Sequence, residues 1–314
     1  MSAAQPTPKV TRAYQNHHLD STRWELFDPR PGDVVVTTSY KSGTTWTQQI
    51  LLVLLHGGVE RMLELTQLSP WVDARFHVPR ETLAETLRAL PSRRFVKSHL
   101  PLDGLPWYPE VKYLIVGRDP RDVFMSLWNH YGSYTETAYA SLNDTPGRVG
   151  PPLPRCPADL RALWHNWLSR GWFDWESEGY PFWSNLHHTQ TYWNHRELPN
   201  LLFVHYGDML LDLEGQVRRI ARFLEVDASD ELVARTVGAT TFANVRKAIE
   251  QLPPADGPEF FRGGLKTFFY KGTNQRWRGL LTDEDMALYE ETKRRVLSPD
   301  CAEWLERGSL GRAQ

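Results

Sequence analysis

Lys41, Ser42, Thr44 and Thr45 surround one glycine, Gly43, so an ammonium, three hydroxyls and the N–H groups of a tight loop fall within a few positions. Donors gathered in this way bind an anion, because phosphate or sulfate oxygens accept from N–H, O–H and ammonium groups together. A second set is Lys97-Ser98-His99. An imidazole with an ordinary pKa of about 6.5 takes a proton near neutrality, which is what a general base requires. A third set runs from Arg118 through Asp119-Pro120 to Ser126, where the planar guanidinium fork suits phosphate oxygens. Plainer readings stand beside these: Ser42 or Thr44 as a helix N-cap, His99 as a hydrogen-bonded structural residue, Ser126 bonded back to its own helix, and Arg118 paired with Asp119 or Asp122.

The surrounding chain has to place the three sets together. Val34 to Thr37 is a β-branched run behind Pro31-Gly32-Asp33 and predicts a buried strand, and the apolar spacing from Thr44 to Leu55 predicts a helix after a short loop. Such a helix points its first N–H groups at the loop. Further strands are predicted at Arg94–Lys97, Lys112–Val116 and Leu201–His205, with helical patterns around 81–90, 120–131 and 213–224. Asp119 as N-cap and Pro120 as first helical residue fix one of these starts. Alternation of strands and helices predicts an α/β fold in one domain, a central parallel sheet flanked by helices, with ligands at the carboxyl ends of the strands.

The lysine precedes the glycine by two positions, which is not the order of the GxxxxGK[ST] nucleotide loop; a P-loop kinase or NTPase is a rival that a magnesium-independent reaction would discriminate against. Thr38-Ser39-Tyr40-Lys41-Ser42-Gly43-Thr44-Thr45-Trp46 instead resembles the TYPKSGTTW phosphosulfate loop of the cytosolic sulfotransferases, identically from Lys41 to Trp46. Four further segments resemble that family in the same order: Lys97-Ser98-His99-Leu100-Pro101, the Arg118 to Ser126 segment, His205-Tyr206-Gly207-Asp208-Met209, and Thr240-Thr241-Phe242. The resemblance implies 3′-phosphoadenosine 5′-phosphosulfate (PAPS) as donor, 3′-phosphoadenosine 5′-phosphate (PAP) as product, no metal, and a small hydroxyl-bearing acceptor. It implies His99 as general base, Lys41 and Lys97 at the transferring group, and Ser42, Gly43, Thr44 and Thr45 around the 5′-phosphosulfate. It also implies Arg118 and Ser126 on the 3′-phosphate, and Trp46, Tyr206, Thr241 and Phe242 at the adenine.

Tyr270-Lys271-Gly272-Thr273-Asn274-Gln275-Arg276-Trp277 keeps the lysine, a glycine and the tryptophan of the family's R-K-G-x-x-G-D-W and loses the arginine. Lys271 and Gly272 remain implied nucleotide contacts, with Arg262 the candidate to replace the missing cation. The family's dimerisation segment is reduced to Arg278 through Asp283, which leaves the oligomeric state open.

The 314 residues carry 36 Lys and Arg against 38 Asp and Glu, a balance that gives no nucleic-acid footprint. Cys156 and Cys301 lie far apart, at no metal or disulfide spacing, as expected for a cytoplasmic protein. No apolar run approaches the roughly 20 residues of a membrane span. Residues 1–30, polar and broken by Pro6, Pro8 and Pro29, read as an arm before a sulfotransferase domain at 31–314, and 132–160 reads as a long loop. The aromatics of 164–193 predict buried helices, with a few side chains lining an apolar acceptor pocket; His187-His188 has no third ligand and reads as surface or core. A protein that holds adenosine bisphosphate without turnover is a second rival, against which the joint presence of His99 and Lys41 speaks.

Overall fold

The computed structural model describes residues 7–57, 65–250, 259–268 and 272–309. Four short apolar strands, β1 (Val34–Thr37), β2 (Phe95–Ser98), β3 (Lys112–Gly117) and β4 (Leu201–His205), pair in parallel in the order β2-β1-β3-β4. Residues on both faces of the sheet are buried, as a parallel sheet between two helical layers requires. Val35, Val96, Tyr113 and Ile115 pack on one face with Val123, Phe124 and Leu127 of the helix Pro120–Gly132. Val34, Val36, Phe95, Leu114 and Val116 pack on the other with Ile50, Leu51 and Leu54 of the helix Thr44–His56 and with the helix Leu213–Phe223.

The helix leaving β1 and the helix leaving β3 therefore cover opposite faces, although β1 and β3 are neighbours. That divergence opens a crevice at their carboxyl ends, the place where open α/β sheets bind ligands. At the opposite ends of the strands Asp33 and Arg94 form a buried ion pair, 2.8 Å between Nη2 and Oδ2.

Two parts depart from expectation. Within 132–160, Glu136–Asp144 is a helix, started by the Thr135 hydroxyl accepting from the Ala138 N–H; Pro146, Gly147, Gly150 and Pro151 had made the whole stretch read as loop. Before β1, Tyr14, His17, Leu19 and Trp24 are buried, and the Arg75 guanidinium donates to the carbonyls of Asn16, His17, Leu142, Thr145 and Pro146. One arginine thereby ties the segment before β1 to the end of the helix Glu136–Asp144. Among the described residues no helix is long and apolar enough to cross a membrane.

Candidate active site

A cavity of about 1110 Å³ lies over the carboxyl ends of β1, β2 and β3. Lys41 and Gly43 line it from the loop after β1, Thr44, Thr45 and Trp46 from the first turn of the next helix, Lys97 from β2 and His99 from just after it, Arg118 from the turn after β3, and Ser126 from the helix that follows. Tyr206 at the end of β4, Phe242 and Gly272 complete this part of the wall.

The helix Thr44–His56 starts on Gly43, at φ 112°, with no side-chain cap. A side chain at Gly43 would meet the Tyr206 ring at 3.0 Å and would strain a left-handed backbone. Neither hydroxyl expected as a cap serves as one. Ser42 Oγ donates to the Tyr40 carbonyl at 3.1 Å and lies outside the cavity wall, and Thr44 Oγ1 is 2.7 Å from Thr38 Oγ1. The first N–H groups of the helix consequently have no side-chain acceptor and face the cavity, a ready anion site.

Two lysines add charge there. Burial, then the proximity of Lys97 and Arg118, lowers Lys41 to about 7, and burial lowers Lys97 to about 8 although Asp73 pulls the other way. Lys41 Nζ is 3.3 Å from His130 Nδ1, and Lys97 Nζ sits 4.4 Å over the Trp71 ring. Cations held apart from water and close to one another are penalised until an anion joins them.

His99 is 5 % exposed. Its Nδ1 lies 2.7 Å from the Thr38 carbonyl, which only accepts, so Nδ1 carries the proton and Nε2 keeps its lone pair. Asp73 Oδ2 accepts from the His99 backbone N–H at 3.0 Å and from Trp71 Nε1 at 2.7 Å, which fixes the strand end. Burial, reinforced by Lys97, holds the imidazole well below its ordinary pKa and therefore neutral.

Arg118 pairs with neither Asp119 nor Asp122. Arg121 takes the Asp119 carboxylate, while Arg118 donates to Asn274 Oδ1 at 2.9 and 3.2 Å and to the Lys41 carbonyl at 3.2 Å, with its guanidinium 4.1 Å over the Tyr206 ring. Trp46 meets Tyr206 edge-on at 5.3 Å and donates Nε1 to the Thr240 carbonyl at 2.7 Å. Gly272, at φ 65°, lets the chain pass the Phe242 ring, where a side chain would come within 2.6 Å.

Thr241 is not in the wall: it sits between two helices, and its hydroxyl turns back to accept from the Asn244 N–H at 3.3 Å, leaving Thr240 to line the cavity. Arg262 is exposed and outside the wall, because Phe261 pairs with Tyr134 and faces inward, which sends the next side chain the other way. Tyr270 and Lys271 lie outside the described residues.

The aromatic half of the cavity draws Phe182 and Trp183 from the segment singled out in the sequence, but also Trp71, Phe76, Phe260 and Phe261 from segments that were not. Trp164, Trp167 and Tyr192 are core. His188 is buried with Nε2 3.0 Å from Thr37 Oγ1, and His187 contacts Asp103.

The family model described as Sulfotransferase domain matches residues 31–299. The chain belongs to the sulfotransferase family. A glycolipid sulfotransferase of Mycobacterium bovis is 29% identical over 312 residues, covering 95% of each chain, and sulfotransferase 1B1 of Canis lupus familiaris is 29% identical over 243 residues, covering 74% of each. Among solved structures, a mouse sulfotransferase complexed with PAP superposes with a TM-score of 0.66 at 19% identity over 91% of both chains. Retinol dehydratase in complex with androsterone and inactive cofactor PAP superposes with a TM-score of 0.60 at 24% identity, over 87% of this chain and 82% of that one. In this sulfotransferase the site also draws on His130, Tyr134, Asn274 and Arg276, none of which the motifs single out. Arg276 was visible in the sequence as the departure beside Trp277, and it lines the cavity; the others come to the site only through tertiary packing.

Proposed function

We propose that this sulfotransferase moves a sulfuryl group from PAPS to a hydroxyl of a small aromatic or hydrophobic acceptor, with His99 as general base. The observation that carries the reading is that the neutral His99 lines one cavity with an uncapped helix N-terminus and two buried lysines. The chemistry of the donor set fits the 5′-phosphosulfate: helix N–H groups, Lys41, Thr44 and Thr45 supply donors and charge at one end of the wall, and Lys97 supplies a second ammonium. PAPS supplies the sulfuryl group and a bisphosphate leaving group. His99 Nε2 takes the acceptor hydroxyl proton, and Lys41 with the helix N–H groups stabilises charge at the phosphate end, a preorganised electrostatic effect.

Arg118, Ser126 and Arg276 form the 3′-phosphate site, with Arg276 in place of the cation lost at Tyr270. Trp46, Phe242 and Tyr206 offer faces for the adenine, where stacking contributes on the order of 1–3 kcal/mol per base. Hydrophobic acceptors agree with the aromatic end of the cavity, with the glycolipid activity named for the mycobacterial relative, and with the androsterone bound by retinol dehydratase. In this reading residues 31–314 are the catalytic unit and the first 30 residues an arm packed onto it that brings His18 to the cavity wall, and the two free thiols, Cys156 and Cys301, fit a reducing cytoplasm.

The test is transfer from radiolabelled PAPS to a panel of phenols, steroids, amines and sugars. Labelled phenols or hydrophobic alcohols are expected; label on sugars alone refutes the acceptor class, and no transfer at all refutes the reading. Arg118→Ala and Arg276→Ala are each expected to weaken PAP by about 10- to 100-fold and leave AMP unchanged, the loss of one charge-assisted contact. Equal loss for both nucleotides in calorimetry removes the 3′-phosphate site.

A proton should accompany the nucleotide. Lys41 at about 7 and Lys97 at about 8 are partly neutral at pH 8, and a bound anion raises both, so binding of PAP takes up roughly one proton there and weakens as pH rises further. Calorimetry in buffers of different ionisation enthalpy reads this directly. Proton release on binding contradicts it.

A further inference from the structure

We propose that His130 is a positioning residue for Lys41, kept with its proton on Nε2 by a hydrogen-bond chain that runs in one direction and ends on the Pro181 carbonyl. The inference rests on the reading of Lys41 as the lysine at the donor phosphate. Its starting point is a row of buried contacts. His17 Nε2 is 2.9 Å from the Pro181 carbonyl, His17 Nδ1 is 2.5 Å from His18 Nδ1, and His18 Nε2 is 3.4 Å from the Tyr134 hydroxyl. The same hydroxyl is 3.2 Å from His130 Nε2, and His130 Nδ1 is 3.3 Å from Lys41 Nζ.

The carbonyl decides the direction of every link. A carbonyl oxygen accepts and never donates, so His17 Nε2 carries a proton. Burial keeps His17 neutral, at about 3, so its Nδ1 has the lone pair and accepts from His18 Nδ1–H. His18, also held neutral by burial, then accepts at Nε2 from the Tyr134 O–H, and burial keeps that phenol protonated. The Tyr134 oxygen accepts from His130 Nε2–H, which leaves the Nδ1 lone pair of a neutral His130 aimed at Lys41. No other arrangement of protons satisfies all five contacts with neutral rings.

The arrangement suits a lysine that must be directed without being neutralised. A carboxylate in the place of His130 would bind the ammonium and cancel its charge. A neutral imidazole lone pair orients a four-carbon side chain and leaves the charge available to an anion. With the proton on Nδ1 instead, an N–H dipole would face the ammonium and push it away. The segment before β1 thus reaches the catalytic lysine through His17 and His18, the second of which also lines the cavity.

Two measurements test this. Heteronuclear NMR of the wild-type protein labelled in its histidine nitrogens is expected to show His130 neutral with the proton on Nε2; a proton on Nδ1, or an imidazolium, overturns the proposal. In kinetics, His130→Leu is expected to lower kcat about tenfold through misplacement of Lys41, with acceptor KM within about twofold, while His130→Asn, whose side-chain oxygen takes the place of Nδ1, recovers to within about threefold. Equal loss in both variants means that the ring only fills space and overturns the proposal, as does unchanged kcat in both. If His130→Leu does not fold, the wild-type NMR result decides alone. Lys41→Ala separates the two readings: retained turnover there refutes the role of Lys41, whereas the NMR measurement bears on the chain itself.

Discussion

His99→Ala is expected to lower turnover by about 10²–10⁴-fold while PAP affinity stays within about twofold, the signature of a lost general base. The Thr38 carbonyl fixes the His99 proton on Nδ1, and Asp73 holds the backbone beneath it, so the ring offers Nε2 to the cavity in one orientation. Because burial keeps the free imidazole well below its ordinary pKa, His99 is in its basic form at neutral pH and remains so as the pH is lowered through the usual histidine range. An acidic limb in kcat/KM centred near an ordinary histidine value would therefore belong to another group. Steady-state kinetics beside calorimetric titration of PAP checks the prediction. Turnover that survives, or a variant whose defect is loss of nucleotide binding, refutes the role of His99.

Asp33→Ala is expected to destabilise the fold by about 3–5 kcal/mol, a large part of the roughly 5–15 kcal/mol that holds a typical domain together. Each side chain of the pair is 1% exposed. Arg94 Nε lies 2.9 and 3.0 Å from the two Asp33 oxygens, its Nη1 donates to the Leu87 carbonyl at 2.8 Å, and its guanidinium stacks 4.6 Å from the Phe27 ring. Removing the carboxylate leaves a buried cation with carbonyls only. Replacing both residues, as in Asp33→Leu with Arg94→Met, removes both charges and should cost far less. Urea unfolding of the single and double variants decides it: a single variant as stable as wild type shows that the pair does not hold the strand starts together.

The four strands were legible nearly to the residue because each is a short apolar run behind turn residues, and Asp119-Pro120 marked its helix by the capping rule. The loop from Lys41 to Trp46 announced an anion site from residue types alone. What the sequence concealed depends on packing. Thr135-Glu136 is a helix start of ordinary kind, yet the proline and glycine residues after it outweighed that signal. His18 lies more than a hundred positions before Tyr134 and His130, which are themselves four apart, and no local pattern around His18 points to the other two. Thr241 resembles a nucleotide contact by motif, but at the junction between two helices its hydroxyl turns back to the Asn244 N–H, and the position on the wall falls to Thr240.

The burial of Tyr14, His17, Leu19 and Trp24 affects the order in which the molecule can be assembled during synthesis. These residues leave the ribosome ahead of their partners: Trp24 waits for Asp73, Tyr14 for Asp103, and His17 for Pro181, which follows 164 positions later. At roughly 5–20 residues per second that last interval is on the order of 10–30 s. Until then His17 and His18 lack the Pro181 carbonyl and the Phe182 and Trp183 rings, and a nascent chain halted before Pro181 emerges has all of β1, β2 and β3 but lacks those side chains. A complete cavity is therefore a late product of translation, because Phe182 and Trp183, and after them Tyr206, Phe242, Gly272 and Arg276, join its wall long after the loop that carries Lys41 is made.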